Sequence, residues 1–331
     1  MTGDASGTYL VTGAAGFIGS CVVGQLLDLG ARVVGVDNLN DAYDVRLKQW
    51  RLARLTGRER FRFVEADIAE EAQLAPLFDG RRPFDAVINL AARAGVRQSV
   101  LTPRIYFDTN VLGLLNLLEL MRESGVPKLL LASTSSLYGA SNAVPYREDA
   151  GTDRPLSPYA ASKKAAEALC ATYHHLHGLD VTIFRYFTVY GPAGRPDMSP
   201  FRFVQWISEG RPVTVYGNGQ QSRDFTYVDD IARGTIAGLK PLGFEVINLG
   251  SDRPVVLMEL IHLVERLVGK PATLVFQPRH PADMDATWAD IHRAQALLGW
   301  SPTTSYEVGI ERLVEWYRAN RDWAATISTA D

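Results

Sequence analysis

The chain has 331 residues, of which 47% are hydrophobic and 21% charged, a composition that excludes wholesale disorder and suffices for roughly two domains. Its 34 basic and 37 acidic side chains give a net charge of −3, which offers no support for a nucleic-acid or membrane-surface protein. Two cysteines, the lack of a signal-peptide pattern at the N-terminus and the lack of a long apolar run predict a cytoplasmic protein in a reducing compartment.

In the first 187 residues, short β-branched runs alternate with stretches of helical periodicity. Strands are predicted at residues 9–11, 32–36, 61–65, 84–90, 128–132 and 181–185. Helices are predicted at residues 17–29, 45–55, 70–78, 102–124 and 157–175. Helices between successive strands imply βαβ crossovers, so the sequence predicts an α/β fold with a Rossmann-type, doubly wound parallel sheet.

The second half of the chain has a different composition, because glycine and proline become frequent after about residue 186. Helices are predicted near residues 201–208, 227–239, 257–268, 291–298 and 306–319. A strand at residues 244–249 is expected to return to the main sheet. We therefore predict a Rossmann domain over residues 1–187, completed by that strand, and a smaller mixed α/β domain over residues 188–331.

A glycine-rich segment ends the first predicted strand and opens the first predicted helix. In YLVTGAAGFIGS, Gly13, Gly16 and Gly19 have the spacing GxxGxxG rather than the usual GxGxxG. Glycine lets the backbone turn tightly and approach a pyrophosphate, which the N–H groups of the helix start would bind. Asp37, about 20 residues further on, could bind an adenosine ribose and would repel a 2′-phosphate, which favours NAD(H) over NADP(H). The alternative is an ordinary βα turn followed by an aspartate.

A tyrosine and a lysine lie four residues apart in the segment SPYAASKK. Tyr159 and Lys163 would share one helix face, where the lysine ammonium favours a phenolate and makes the tyrosine a possible general acid or base. Three hydroxyls, Thr134, Ser135 and Ser136, follow the predicted strand at 128–132, at the sheet edge where open α/β folds bind ligands. The alternatives are a surface pair on a helix and a turn rich in serine and threonine.

The segments TGAAGFIG, LASTSSLYG and SPYAASKK, in this order, resemble the extended short-chain dehydrogenase/reductase superfamily, and in particular its nucleotide-sugar branch. The segments EADIAE, NLAARAGVRQS, DTNVLG and GNGQQSRDFTYVDDIA extend the resemblance over nearly the whole chain. It implies that residues 1–187 bind NAD tightly and that residues 188–331 bind a nucleotide sugar. The NAD-binding residues that it implies are Gly13, Gly16, Phe17, Ile18, Gly19, Asp37, Asn38, Asp67, Ile68, Leu90, Ala91, Ala92, Asn110, Tyr159, Lys163 and Tyr186.

The resemblance also implies a first chemical step. Tyr159 would remove the proton of the sugar 4-hydroxyl, shared with Thr134, while hydride passes from C4 to NAD+. The 4,6-dehydratases of this branch carry an Asp-Glu pair, and the decarboxylases a Glu, where this chain has Ser135 and Ser136. Hydroxyls are poor general bases, so 4-epimerisation is favoured. A dehydratase, a decarboxylase, a UDP-glucose 4-epimerase and a non-catalytic, redox-sensing NAD(H)-binding protein stay open as alternatives.

The segment GPAGRPDM resembles that of UDP-glucuronate 4-epimerases, which implies UDP-glucuronate as substrate and UDP-galacturonate as product. An arginine fork suits a carboxylate, and the resemblance implies that a uronate carboxylate is held by Thr134, Ser135, Ser136, Thr188 and Arg195. The 4-keto uronate is a β-keto acid, so we hypothesise that these residues hold the carboxylate in an orientation that prevents loss of CO2. Alternatively, Arg195 is a solvated loop residue and Thr188 a packing residue. Further substrate contacts are implied at Arg93, Val215, Tyr216, Arg223 and Asp283.

Other features of the sequence predict partners or their absence. Three histidines, His174, His175 and His177, lie at a predicted helix end with no matching carboxylate or cysteine spacing, so no metal site is expected. The resemblance implies a homodimer in which the helix from residue 102 and the Tyr159 helix form a four-helix bundle with their counterparts. No nucleic-acid or membrane partner is expected.

Overall fold

The computed structural model describes residues 7–140, 142–278 and 284–329. Its strands are β1 (Thr8–Thr12), β2 (Arg32–Asp37), β3 (Phe61–Glu65), β4 (Ala86–Asn89), β5 (Lys128–Thr134), β6 (Asp180–Tyr186), β7 (Thr188–Tyr190), β8 (Val213–Tyr216), β9 (Ser222–Tyr227), β10 (Phe244–Leu249), β11 (Pro254–Val256) and β12 (Leu274–Gln277). Its helices are α1 (Phe17–Asp28), α2 (Val45–Ala53), α3 (Glu71–Leu74), α4 (Val96–Leu101), α5 (Pro103–Phe107), α6 (Gly113–Ser124), α7 (Pro158–His177), α8 (Ser199–Ser208), α9 (Val228–Ala237), α10 (Leu257–Val268), α11 (His292–Leu298), α12 (Tyr306–Ala319) and α13 (Arg321–Ala324). Within these residues, no helix is both long and apolar enough to span a bilayer.

Seven strands form the central sheet in the order β10-β6-β5-β4-β1-β2-β3, and every pair in it is parallel. The predicted doubly wound sheet is therefore confirmed, and β10 pairs with β6 as the returning strand. The chain order reverses between β1 and β4, which opens a crevice at the carboxyl ends of these two strands. Ligands of open α/β sheets bind in such a crevice, so the fold places the candidate site there.

Helices cover both faces of this sheet. One face is packed by α1 and α9, which contact each other, through buried side chains such as Val22, Leu26 and Ile231. The other face is packed by α6 and α7, through Leu114, Leu117 and Cys170 among others. A third apolar cluster, built largely from α8, α10 and α12, lies in the second half of the chain. Because α9 and β10 join the first region, the division at residue 187 stays a prediction.

The structure adds elements that the sequence pattern did not indicate. These elements are helix α4 and the short strands β7, β8, β9, β11 and β12. The five strands form two smaller sheets, β11-β9-β7 and β12-β8. The predicted helix over 102–124 is interrupted by a π-helical turn at Asp108–Leu112, which joins α5 to α6. Helices α2 and α7 end at Ala53 and His177, against 55 and 175 in the prediction. These strands of three to six residues lie in the part of the chain rich in glycine and proline, where no regular alternation of strands and helices marks them.

A buried ion pair fixes α7 against the sheet. Arg185 on β6 and Glu167 on α7 form two hydrogen bonds of 3.0 and 2.8 Å, and both side chains are almost fully buried. Ser133 on β5 donates to the same carboxylate at 2.6 Å. Arg185 also donates to the hydroxyl of Tyr138, which in turn donates to Asn248 on β10. This network ties three neighbouring strands to the helix that bears Tyr159.

Replacing Arg185 alone should destabilise the protein strongly, because Glu167 would be left as an unpaired buried charge. We expect Arg185→Met to lower the free energy of unfolding by about 3–5 kcal/mol. The double variant Arg185→Met/Glu167→Met should recover part of that loss, since it leaves no charge stranded. Urea denaturation of the two single variants and the double variant measures the coupling. Strictly additive losses would contradict this account.

Candidate active site

The turn between β1 and α1 is built from glycines that have no space for a side chain. Gly13 has a φ of +69°, and a Cβ on it would lie 2.7 Å from the backbone nitrogen of Ala91 at the end of β4. A Cβ on Gly19 would lie 2.0 Å from the carbonyl oxygen of Gly13, so the first turn of α1 packs directly on the loop. The backbone N–H groups at the start of α1 therefore face the crevice without shielding, an arrangement suited to a pyrophosphate.

Asp37 ends β2 beside this turn and is buried. Its carboxylate accepts hydrogen bonds from the backbone N–H groups of Ala15 (3.2 Å) and Leu39 (2.9 Å). Lys48 of α2 lies 3.4 Å from the same carboxylate and also donates to Asn40. These contacts hold Asp37 at the carboxyl edge of the sheet, where a ribose of a bound dinucleotide would lie.

The other residues expected at the cofactor line the same edge. Asn38 donates to the carboxylate of Asp67 at 2.8 Å, and Ile68 is buried against Gly113. Phe17 and Ile18 begin α1, and Leu90, Ala91 and Ala92 follow β4 beside the glycine turn. The hydroxyl of Tyr186 lies 2.7 Å from that of Thr235 on α9, so its phenol end is engaged within the core.

Asn110 lies in the π-helical turn and connects two parts of the site. Its side chain accepts from the backbone N–H of Arg93 (2.9 Å) and donates to the carbonyl of Arg93 (3.0 Å). It also donates to the hydroxyl of Ser162 on α7 at 2.9 Å. The extra residue of the π-helical turn thus places one amide where it fixes both the loop after β4 and the helix of Tyr159.

The predicted tyrosine, threonine and lysine come together at the carboxyl end of β5. The Tyr159 phenol forms a hydrogen bond with the Thr134 hydroxyl, whose oxygen lies 3.2 Å from that of Ser136. Lys163, one turn further along α7, donates to the carbonyl of Ala132 at 3.0 Å. Ser135 is buried beside them. The geometry supports proton movement between the phenol and the threonine hydroxyl.

Burial dominates the proton affinities of these groups. It raises the pKa of Tyr159, an effect that the hydrogen bond from Thr134 and the charge of Arg195 oppose. Burial lowers the pKa of Lys163 to about 8, against the opposing charge of Glu167. An ammonium with a pKa near 8 is still mostly charged at neutral pH. The cation that lowers the pKa of Tyr159 in this structure is Arg195, so stabilisation of a phenolate by Lys163 stays a prediction.

Arg195 lies in the loop between β7 and α8 and points into the site. It donates to Asp197 through Nε (3.0 Å) and Nη2 (2.5 Å), and to the carbonyl of Ala94 (3.3 Å). A Cβ on Gly95 would lie 3.7 Å from the same guanidinium nitrogen. Burial opposes ionisation of Asp197, but the Arg195 guanidinium holds the pKa of that carboxyl below its usual value. The arginine is therefore fixed as a cation close to Tyr159.

The remaining residues expected at the substrate lie on both sides of this arginine. Arg93 follows β4 and is held through its backbone by Asn110, and Thr188 begins β7 and is half-buried. Tyr216 and Arg223 line a cavity of about 170 Å³ with Gly217, Asn218, Gln220, Gln221, Met284 and Asp285. The side chain of Val215 is buried in the neighbouring core. Asp283 lies outside the described residues.

Several residues of this region were not given a role by the sequence analysis. The guanidinium of Arg97 on α4 stacks 4.1 Å from the ring centre of Tyr216. Tyr106 packs edge-on against Tyr159, with 6.1 Å between ring centres. Asp197 could have been noticed, because an acid two residues from an arginine is a common ion pair. Tyr106 has no comparable signal in the sequence.

The parallel sheet, the glycine turn and the hydroxyl-rich edge beside Tyr159 define the class of dinucleotide-binding α/β enzymes. The model of the NAD dependent epimerase/dehydratase family matches residues 9–250. The chain belongs to this family.

Individual relatives are similar over almost the whole chain. A UDP-glucuronate 4-epimerase from Thermodesulfobacterium geofontis is 56% identical over 95% of this chain and 97% of its own length. The crystal structure of a UDP-glucuronic acid 4-epimerase from Bacillus cereus, in complex with UDP-glucuronic acid and NAD, has a TM-score of 0.88 and 37% identity, and covers 95% of this chain and 99% of that one. A UDP-glucose 4-epimerase from Thermotoga maritima, with UDP-glucose, has a TM-score of 0.87 and 33% identity, with 95% and 99% coverage.

The buried Lys163 should reduce stability at neutral pH. Its pKa is about 8 in the folded chain and about 10.4 when exposed, so the unfolded state binds more protons between these values. Stability should therefore rise as the pH increases from 8 to about 10.4. We expect Lys163→Met to gain on the order of 2 kcal/mol at pH 7, after allowing for the lost hydrogen bond to Ala132.

Urea denaturation of the dinucleotide-free protein at pH 7 and at about pH 10 measures this difference. Lys164 provides the matched control, because it is the next residue and its side chain is 37% exposed. Lys164→Met should leave the pH dependence of stability unchanged. A pH dependence of the Lys163→Met protein equal to that of the parent would contradict the assignment.

Proposed function

We propose that this protein is an NAD-dependent UDP-glucuronate 4-epimerase that interconverts UDP-glucuronate and UDP-galacturonate through a transient 4-keto sugar. The observation that carries the proposal is Arg195, a fixed cation whose charge acts on Tyr159. A guanidinium in that position suits a substrate with a carboxylate at C6, next to the carbon that reacts. The similarity to UDP-glucuronate 4-epimerases over nearly the full chain supports the same substrate.

The residues at the crevice fit NAD. The glycine turn leaves space for a pyrophosphate, and the carboxylate of Asp37 would meet the adenosine ribose and repel a 2′-phosphate. Asn38, Asp67, Ile68, Leu90, Ala91, Ala92 and Tyr186 would complete this site beside the turn. When bound, NAD+ accepts the hydride of the sugar C4 and returns it. The enzyme regains its starting state after each turnover, so tight retention of the cofactor is expected.

The protein's own contribution to the reaction is proton transfer and positioning. Tyr159 takes the proton of the 4-hydroxyl, assisted by the Thr134 hydroxyl to which it is bonded. The Lys163 ammonium stabilises the phenolate that precedes this step. The 4-keto sugar then presents its opposite face, and Tyr159 returns the proton as the hydride comes back. Inversion at C4 results, with no change in mass.

Elimination or decarboxylation as the normal reaction is disfavoured by the side chains after Thr134. Positions 135 and 136 carry serines, and the nearby carboxylate of Asp197 is bound by Arg195. Ser135, Ser136 and Thr188 would share the uronate carboxylate with Arg195. These contacts would keep the C5–C6 bond out of alignment with the π system of the C4 ketone, so that the β-keto acid does not lose CO2.

The nucleotide would occupy the cavity beside β8 and β9. Arg223 offers a cation for the diphosphate, and the ring of Tyr216 provides an apolar face for the base.

We further propose a homodimer formed through α5, α6 and α7, in a cytoplasmic setting. Apolar side chains exposed on this part of the surface support it: Leu101, Phe107, Leu112 and Leu176 are between 40% and 74% exposed. Residues 1–187 and 188–331 would then act as cofactor and substrate domains.

Incubation with UDP-glucuronate, without added NAD+, tests the reaction and the retained cofactor together. We expect NMR to show UDP-galacturonate of unchanged mass, and no comparable turnover of UDP-glucose. Tyr159→Phe should lower kcat by about 10²–10⁴-fold, because the proton acceptor is lost, while NAD content stays the same. A product that has lost water or CO2, or full activity of Tyr159→Phe, would refute the proposal.

Loss of the carboxylate grip should change the product as well as the rate. In Arg195→Ala we expect a larger share of UDP-pentose, because the 4-keto uronate can then break its C5–C6 bond. CO2 leaves, the electron pair moves toward the C4 carbonyl, C5 takes a proton, and the returned hydride reduces the keto pentose. Arg147→Ala is the matched control, since Arg147 is 67% exposed and also pairs with an aspartate two residues on. Equal shares of UDP-pentose in the two variants would contradict the role of Arg195.

A further inference from the structure

The loop that carries Arg195 is held by a buried arginine from another part of the chain. Arg51 on α2 is 3% exposed. Its Nε and Nη2 donate to the carbonyl of Ala193 at 3.0 and 2.6 Å, and Nη2 also reaches the carbonyl of Gly194 at 3.3 Å. These are the two residues that precede Arg195.

The same guanidinium reaches the cofactor turn. Its Nη1 donates to the carbonyl of Ala15 at 3.3 Å and to the hydroxyl of Tyr43 at 2.7 Å. The plane lies over the rings of Phe17 and Tyr43, at 5.7 and 5.4 Å from their centres. Arg51 therefore connects the glycine turn to the Arg195 loop, although it belongs to neither.

Arg51 makes these contacts as a cation without a carboxylate partner among the described residues. Burying a charge in this way costs free energy, and the N–H groups of the Arg51 guanidinium donate to neutral oxygens. The loop that it holds is conformationally demanding, since Ala193, which has a side chain, takes a φ of +50°. Such a backbone needs external contacts to keep one conformation.

We propose that Arg51 is a positioning residue for recognition of the C6 carboxylate: it fixes the backbone of the Arg195 loop against the cofactor turn, while Asp197 fixes the guanidinium. The inference rests on the proposed function, because it assigns the substrate carboxylate to Arg195. Its consequence is selective. Loss of Arg51 weakens the binding of a sugar that carries a carboxylate and leaves the binding of a neutral sugar on the same nucleotide nearly unchanged.

Titration calorimetry with UDP-glucuronate and UDP-glucose, in the presence of NAD+, tests this selectivity. In Arg51→Met we expect the Kd for UDP-glucuronate to rise by about tenfold or more, as for loss of a charge-assisted hydrogen bond, and the Kd for UDP-glucose to stay within about twofold. Arg51→Lys keeps the charge but not the fork, so it should show the same selective loss if Arg51→Met folds poorly. The share of UDP-pentose should rise as in Arg195→Ala.

Arg54→Met is the matched control, because Arg54 directly follows the last residue of α2, is exposed and stacks only on Trp50 among the described residues. Unchanged affinity for both nucleotides in the Arg51 variants would overturn the proposal. So would an equal loss for both, which would mark Arg51 as merely structural. Failure of the parent protein to epimerise UDP-glucuronate would instead refute the proposed function, since the binding comparison does not depend on turnover.

Discussion

The site depends on the attachment of one helix to one strand. Three consecutive residues at the end of β5 each bond to α7: Ala132 to Lys163, Ser133 to Glu167, and Thr134 to Tyr159. Because the three partners on α7 are spaced four residues apart, they form a single stripe along the helix. Rotation or sliding of α7 would break all three contacts at once. The strand therefore fixes both the position of α7 along its own axis and its rotation about that axis.

The same attachment explains why charges are buried where function does not require them. Glu167 and Arg185 are both almost fully buried. They form two hydrogen bonds with each other between the sheet and α7. A buried ion pair is a poor source of net stability compared with apolar packing, but it permits few alternative arrangements. Asn110 makes a second polar contact with α7, through Ser162. The contacts at Ser162 and Glu167 fix the part of the helix that follows Tyr159.

Local patterns were sufficient to predict the central sheet, because apolar strands alternate with helices along most of it. The glycine turn, Asp37 and the stripe of Tyr159 and Lys163 were predicted for the same reason, since each depends on residues close together in sequence. The smaller strands β7, β8 and β11 were missed because they are short and lie among glycine- and proline-rich segments, outside the regular alternation of strands and helices. Arg51 was missed because its partner Ala193 is 142 residues away and offers only a backbone carbonyl, which any residue has. The roles assigned to individual site residues stay predictions.

The pairing of Arg195 with Asp197 has a consequence for how an acidic sugar is chosen. Since the aspartate already balances the guanidinium, a hexose bearing only a hydroxymethyl group at that position strands no charge when it enters. Such a pocket raises the affinity for the acidic ligand without lowering the affinity for its neutral counterpart. Discrimination then rests on attraction alone, and a sufficiently abundant neutral competitor would still occupy the enzyme.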